Sequence, residues 1–353
     1  MSFVGQAGGS MTHRLIDYAI AGNVLGGAES EELMAELLRG EMQTADIVAL
    51  LTALNSRPYR AEEVAGFARA MRGCAARVFD EGDPLPERMV DTCGTGGDDS
   101  GTFNISTAAA IVAAAAGGRV AKHGNRAASS KSGSADVLEA LGVRIDVPFA
   151  QIGVAIREIG IGFLFAQLAH SATRFAMPAR KQIGARTVFN LLGPLTNPAH
   201  AQSQVLGVFS AEVLDVVAEA LLELGTEHAL VLHGAGKLDE ISLVGPTIVV
   251  EVRGGKIRKF EVTPETFGKV EAPLSAVRGG SAEENATLIR RILSGAAEAN
   301  RAPRDIVVIN AAAALLASGV ASDLREGSER AEQAIASGAA AEKLAQLQRF
   351  GSE

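Results

Sequence analysis

The 353-residue chain has no tryptophan, and only 4% of its residues are aromatic. Scarcity of rings is not scarcity of core, because 47% of the residues are hydrophobic, which excludes disorder as the dominant state. Its two cysteines, Cys74 and Cys93, cannot build a disulfide framework, and neither sits in a C-x-x-C pair or near the histidine spacing of structural zinc. That usage fits a reducing cytoplasm. Basic residues are outnumbered, 33 Lys and Arg against 41 Asp and Glu, giving a net charge of −8 and a pI near 5.4. Such a balance argues against a nucleic-acid backbone as the main partner. Long apolar runs are missing too. The most apolar stretch, Ala108 to Gly118, falls well short of the ~20 residues that cross a bilayer, and the first residues lack the apolar core of a secretory signal. A soluble protein of two or three domains is expected.

The chain has two textures. From Met11 to Arg77 the apolar residues recur at helical spacing, with helices predicted near 12–21, 30–39, 44–56 and 60–78, and Ser30 is read as an N-cap before Glu31 and Glu32. Residues 80–86, with Pro84 and Pro86, read as a linker. Beyond it, strands predicted at 89–93, 119–121, 143–146, 162–166, 204–208, 229–233, 247–253 and 256–262 alternate with helices at 105–116, 133–141, 148–159, 211–224, 281–294, 303–318 and 329–349. Alternation of this kind predicts an α/β fold with a mainly parallel sheet. Gly254-Gly255 joins the last two strands as an antiparallel hairpin, so the sheet is expected to be mixed. No repeat of 20–50 residues is present.

Two loops carry the chemistry. The first, from Asp91 to Thr107, is rich in glycine and lies between a predicted strand and an alanine-rich helix. Glycines admit a phosphate close to the backbone, and a helix start offers free N–H groups. It matches neither the P-loop, lacking Gly-Lys-[Ser/Thr], nor G-x-G-x-x-G, whose third glycine position is Asp99. The second, from Val120 to Ser134, sets Lys122, Arg126 and Lys131 among Asn125, Ser129, Ser130 and Ser134, all suited to an anionic, oxygen-rich ligand. At the ends of neighbouring strands these loops would face one crevice. His123, beside a glycine, reads as an orienting donor, and no residue is assigned as a catalytic acid or base.

These residues are familiar. Gly94-Thr-Gly-Gly-Asp98, Thr102 to Thr107, Lys122-His-Gly-Asn-Arg126 with Ser129-Ser130, Ala135 to Gly142, Gly184 to Pro198 and His233 to Ser242 closely resemble the anthranilate phosphoribosyltransferases of tryptophan biosynthesis. Further matches at Gly279 to Asn285 and Asn310 to Ala314 extend the similarity over most of the chain. The resemblance implies a small N-terminal helical domain at 1–85, joined by helices from about 180–200, and a larger nucleoside phosphorylase-like α/β domain at 86–353. It further implies a homodimer formed through the helical domain, and transfer of phosphoribose from 5-phosphoribosyl diphosphate (PRPP) to the amine of anthranilate. By the same resemblance PRPP is contacted by Gly94, Gly97, Asp98, Thr102, Asn104, Ile105, Ser106, Thr107, Lys122, His123, Gly124, Asn125, Arg126, Ala127, Ala128, Ser129, Ser130 and Ser134. Anthranilate is contacted by Gly94, Asn125 and Arg180, and Mg2+ by Ser106, Asp239 and Glu240.

One segment departs from the family. Where its members usually read Ala-Pro-x-His-His-Pro-Ala-Met or similar, this chain has Ala166-Gln-Leu-Ala-His-Ser-Ala-Thr173. That leaves a related phosphoribosyltransferase with another aromatic acceptor as an alternative. A pyrimidine nucleoside phosphorylase shares the architecture but patterns its basic loop differently. A non-catalytic relative binding nucleic acid through its helices is opposed by the acidic charge and by the Asp239-Glu240 pair.

Overall fold

A computed structural model of the chain describes residues 11–127, 131–296 and 301–350. Four helices come first: α1 (Met11–Ile20), α2 (Gly27–Arg39), α3 (Thr44–Asn55) and α4 (Ala61–Gly73). Then follow β1 (Met89–Asp91), α5 (Ile105–Ala115), β2 (Arg119–Gly124), α6 (Ser134–Ala140), α7 (Phe149–Glu158) and β3 (Ile161–Phe165). Three short helices, α8 (Ala166–Ala169), α9 (Met177–Ile183) and α10 (Phe189–Leu192), lead to β4 (Ser203–Gly207), α11 (Leu214–Glu223), β5 (His228–Gly234), β6 (Thr247–Arg253) and β7 (Lys256–Val262). The chain closes on α12 (Ala282–Leu293), α13 (Ala302–Ala317), α14 (Leu324–Ala336) and α15 (Ala339–Phe350).

Among the described residues the strands form a single seven-stranded sheet in the order β3-β2-β1-β4-β5-β6-β7, parallel through β5 and antiparallel across the β5-β6-β7 edge. Alternate residues of each strand face opposite sides. Val205, Leu230, Leu232 and Val249 join the core under α5 and α13, whereas Leu206, Ala229, Val231 and Val250 face α11 and the N-terminal helices. Both faces of the central sheet are covered, so β3 and β4 are buried along their whole length, whereas the edge strand β7 is charged and largely exposed. The second core also takes in Ala176, Ala179, Phe189 and Leu192 from the α9–α10 connection. Arg72 of α4 locks that connection in place by donating to the Leu195 carbonyl at 2.7 Å.

Several expectations are corrected. Residues 143–146 alternate buried and exposed as a strand would, but they bond to no strand among the described residues: alternation alone does not make a ladder, which needs a partner. The helix expected at 329–349 is two, α14 and α15, separated at Gly338. The helix expected at 60–78 stops at Gly73. Ser30 is no N-cap; α2 starts earlier, with the Gly26 N–H held by the Glu29 carboxylate at 2.8 Å. Ser30 instead lies fully buried against Gly66 of α4, where small residues let the two helices touch. Helices α8 to α10 are too short for a clear period, and of this stretch only helices near 180–200 are expected, through the family resemblance and not from spacing.

Candidate active site

Strand order reverses between β1 and β4, since the chain runs outward from β1 to β3 and then crosses back to β4. Parallel sheets bind ligands beyond the carboxyl ends of strands at such a point. Here those ends carry the glycine-rich loop after β1 and Gly207 of β4. The segment Leu238–Ile241 packs onto both. Leu238 and Gly234 exchange backbone hydrogen bonds at 2.8 and 3.1 Å, and the Asn310 amide of α13 binds both the N–H and the carbonyl of Ile241, at 2.9 and 3.0 Å. Asp239 and Glu240, held between these clamps, turn toward the loop.

The glycine-rich loop is fixed at several points. Thr95 donates its N–H to Gly207 O at 2.8 Å, and its hydroxyl accepts from the Phe209 N–H at 3.0 Å. Gly96 donates to Asp239 Oδ2 at 2.8 Å, and Asp98 accepts from Ser100 at 3.1 Å and from the Asp239 N–H at 3.4 Å. Gly96 and Gly97 have φ of +63° and +72°, a conformation that disfavours side chains. At the start of α5, Ser106 N–H donates to Glu240 Oε1 at 3.1 Å. Asn104 stands at the N-cap position of the same helix, its side chain bound to Ser132 and Asn285. Thr107 is 1% exposed and its hydroxyl has no partner among the described residues. Ile105 is core, so only its backbone is available to a ligand.

Charge converges here. Burial pushes the Asp239 carboxyl up to about 7, with the neighbouring Asp98 charge adding to the effect. Glu240 is likewise pushed up by burial and by Asp239, while Lys122 opposes the rise. Lys122 is 4% exposed and donates to the Thr92 carbonyl and hydroxyl at 3.3 and 3.2 Å. A cavity of about 10 Å³, close to the room one water needs, lies between Thr92, Gly94, Ser106, Asp239 and Glu240. Mutually repelling carboxylates beside a hydroxyl form a hard-oxygen donor set that suits Mg2+.

The second loop is tied to α6. Ser134 Oγ and the Asn125 backbone exchange hydrogen bonds at 3.1 and 3.2 Å, and Ala127 N–H donates to Asp136 at 2.9 Å. Arg126 is paired with Asp136 and Glu139 of this helix, so its charge is not held over the crevice. A Cβ on Gly124 would meet the Ser134 hydroxyl at 2.2 Å. Ala128, Ser129 and Ser130 lie outside the described residues. Arg180, at the end of α9, stacks over Phe189 at 5.3 Å and makes no hydrogen bond to either loop among the described residues.

Behind the loops, His123 and His170 meet edge to face with ring centroids 5.2 Å apart. Asp91 is 1% exposed; it receives the His123 N–H at 3.0 Å and the Asn197 amide at 2.7 Å. Asn197 also reaches Ala121 O at 2.7 Å and so pins β1 to β2. Asp91, Cys93 and His123 offer three ligand atoms within 4.8 Å of one another, but the Lys122 charge acts on all three and disfavours a second cation. Burial lowers His123 to about 3, helped by the charges of His170 and Lys122, and lowers His170 to about 4. Both rings are neutral in the folded chain. The unfolded chain takes up their protons near pH 6.5, which the fold refuses until far lower pH, so stability is complete above about 6.5 and declines on acidification by about 1.4 kcal/mol per pH unit for each histidine. The buried carboxyls of Asp91, Asp239 and Glu240, all held above their ordinary range, take up protons in the folded chain over the same window and oppose this loss. The test is therefore a difference: between pH 6.5 and 4.5 the melting temperature of His170→Gln should rise relative to that of the wild type as the pH falls, and an identical pH dependence contradicts the assignment.

The sequence reading missed Arg186. It lies within the segment 184–198 used for the resemblance, yet nothing in its spacing marks it. Its guanidinium donates to Gly97 O, faces Asp99 at 3.7 Å and stacks over Phe209 at 4.6 Å, while its own carbonyl accepts from Asn55 of α3 at 2.7 Å. It therefore links the N-terminal helices to the loop. Gly207 was unmarked, and Asn197 and Asn310 stood only within matching segments, with no role given to either.

Two family models divide the chain as its texture does: the glycosyl transferase family helical bundle domain over residues 13–75 and the glycosyl transferase family a/b domain over 86–341. Fold and site thus define a glycosyltransferase-family enzyme. The chain is 49% identical over 329 residues to the anthranilate phosphoribosyltransferase of Roseiflexus sp. (strain RS-1), covering 93% of this chain and 94% of that protein. Its structure is similar to that of anthranilate phosphoribosyltransferase from Thermus thermophilus, with a TM-score of 0.89 and 46% identity over 96% of this chain and 99% of the other. It is also similar to the Saccharomyces cerevisiae enzyme in complex with PRPP and Mg, with a TM-score of 0.86 and 28% identity over 97% and 98% of the two chains. The chain belongs to the anthranilate phosphoribosyltransferase family.

Proposed function

We propose that this chain transfers the phosphoribosyl group of PRPP to the amine of anthranilate, releasing diphosphate and giving N-(5-phosphoribosyl)anthranilate for tryptophan biosynthesis. The observation that carries the reading is the meeting of the Gly94–Thr107 loop, Lys122 and the Asp239-Glu240 pair at the switch point of the sheet. In this reading PRPP lies along Gly94 to Thr107 and Lys122 to Ser134. Asp239, Glu240 and Ser106 hold Mg2+, which when bound neutralises charge on the departing diphosphate. Loop N–H groups and the Lys122 ammonium supply further fixed positive charge without reorganisation. The amine lone pair of anthranilate is free at neutral pH, so the chain's contribution at the acceptor side is alignment, by Gly94, Asn125 and Arg180, instead of a strong base.

The helical domain at 1–85, with 180–200 joined to it, is taken to form a homodimer interface, and 86–353 to hold the PRPP site. A biosynthetic role of this kind fits the cytoplasm. No helix among the described residues is long and apolar enough to cross a membrane. Incubation with PRPP, Mg2+ and anthranilate should consume anthranilate fluorescence; no turnover at millimolar substrates would overturn the reading.

Arg186 enters as a positioning residue for the donor loop. Arg186→Ala is expected to raise KM for PRPP about tenfold, the scale of one charge-assisted hydrogen bond, with KM for anthranilate within about twofold of wild type. Steady-state kinetics with each substrate varied in turn would check this, and equal shifts in both constants would count against the role.

A further inference from the structure

Strands β2 and β3 are parallel neighbours whose last register pair is Gly124 with Phe165. The residues that follow, Asn125 on one side and Ala166-Gln167 on the other, therefore leave the sheet side by side. Across that gap Gln167 Nε2 donates to Asn125 Oδ1 at 3.3 Å. The same Oδ1 accepts the Arg126 backbone N–H at 2.8 Å. A backbone N–H can only donate, so the atom facing it must be the amide oxygen, and Gln167 must in turn present its NH2 group. With both lone pairs of Oδ1 engaged, Asn125 is left with Nδ2 as its free pole, and this group has no partner among the described residues. Ser134 and Ala135 hold the Asn125 backbone in place, at 3.1 to 3.2 Å, so the amide turns on a fixed stem.

The geometry points to Gln167 as a positioning residue for acceptor specificity: by occupying Asn125 Oδ1, it obliges Asn125 to offer a donor, and so selects an acceptor that places an oxygen with lone pairs, such as a carboxylate, at that point. The inference rests on the proposed phosphoribosyl transfer to anthranilate and deepens it. An acceptor with a neutral carboxamide in place of the carboxylate can also lend an oxygen, but without the charge that strengthens the contact.

Gln167 is exposed, so substitutions there can be read without loss of the fold. Gln167→Glu sets a carboxylate against Asn125 Oδ1, and Gln167→Met keeps the length but removes the donor. Both are compared with wild type using anthranilate and 2-aminobenzamide as acceptors. The expected result is a KM for anthranilate raised about tenfold in the Glu variant and about threefold in the Met variant, with KM for PRPP and the melting temperature unchanged. The preference for anthranilate over 2-aminobenzamide should shrink in the same order. Equal kinetics in all three proteins would overturn the assignment. So would a joint rise in both KM values with a lowered melting temperature, because that marks a merely structural contact. If wild type itself does not turn over anthranilate, the proposed function fails and the inference falls with it.

Discussion

The double variant Asp239→Asn, Glu240→Gln is expected to lose about 10³ in kcat/KM and to need far more Mg2+ for half-maximal rate. Removing charge stabilisation of a developing anion from an enclosed site typically costs about 10²–10³ per group, and two groups that act as a unit do not simply multiply. Stability should move the other way. In the absence of a cation these carboxylates repel each other and Asp98, and burial adds to that cost. The isosteric amides remove the repulsion, so the double variant should melt at or above the wild-type temperature in EDTA. Added Mg2+ should raise the wild-type melting temperature through preferential binding to the folded chain and leave the variant unmoved. Magnesium dependence and melting shifts equal to those of wild type would rule out the assigned role.

Gly207→Ala should be nearly as damaging, although residue 207 carries no side chain to do chemistry. A Cβ there would come within 1.5 Å of the Asp239 carbonyl oxygen and 2.2 Å of its carbon. Backbone, not a flexible side-chain tip, would have to move. Gly207 also accepts the Thr95 N–H, so displacement of residues 238–241 would disturb the glycine-rich loop as well. The expectation is a stability loss of about 3 kcal/mol, the upper part of the range for overpacking, and at least a hundredfold fall in kcat/KM. Chemical denaturation and steady-state kinetics would measure the two effects. Gly73→Ala serves as the control, since nothing lies within 4 Å of a Cβ at that helix end. Wild-type behaviour of Gly207→Ala would show that the contact relaxes and that the acidic pair is not held by it.

The two loops and the change from helical to alternating texture were legible because each depends on local chemistry. Glycines with positive φ, a helix start and an apolar strand occupy consecutive positions. The hairpin at Gly254-Gly255 was readable for the same reason. Errors arose where the deciding contact was distant. Residues 143–146 carry a strand's alternation without a neighbouring strand, and Ser30 looks like a cap until Gly66 of another helix packs against it. Lys122, Arg126 and Lys131 appeared equally available in the sequence, but Arg126 is held by Asp136 and Glu139 whereas Lys122 is turned inward beside Thr92.

By itself the sequence determined a helical unit followed by an α/β unit, the glycine-rich and basic make-up of two loops and, through the resemblance of its motifs, the family. Tertiary structure alone decided that Asp239 and Glu240, more than 130 residues from Gly96 and Ser106, meet those N–H groups, and that Arg186 and Asn55 brace the loop from the helical side. The reason is physical. Periodicity and turn chemistry act over a few residues, but burial of charge and the closing of a site depend on strand order, and strand order follows from how all the apolar faces pack at once.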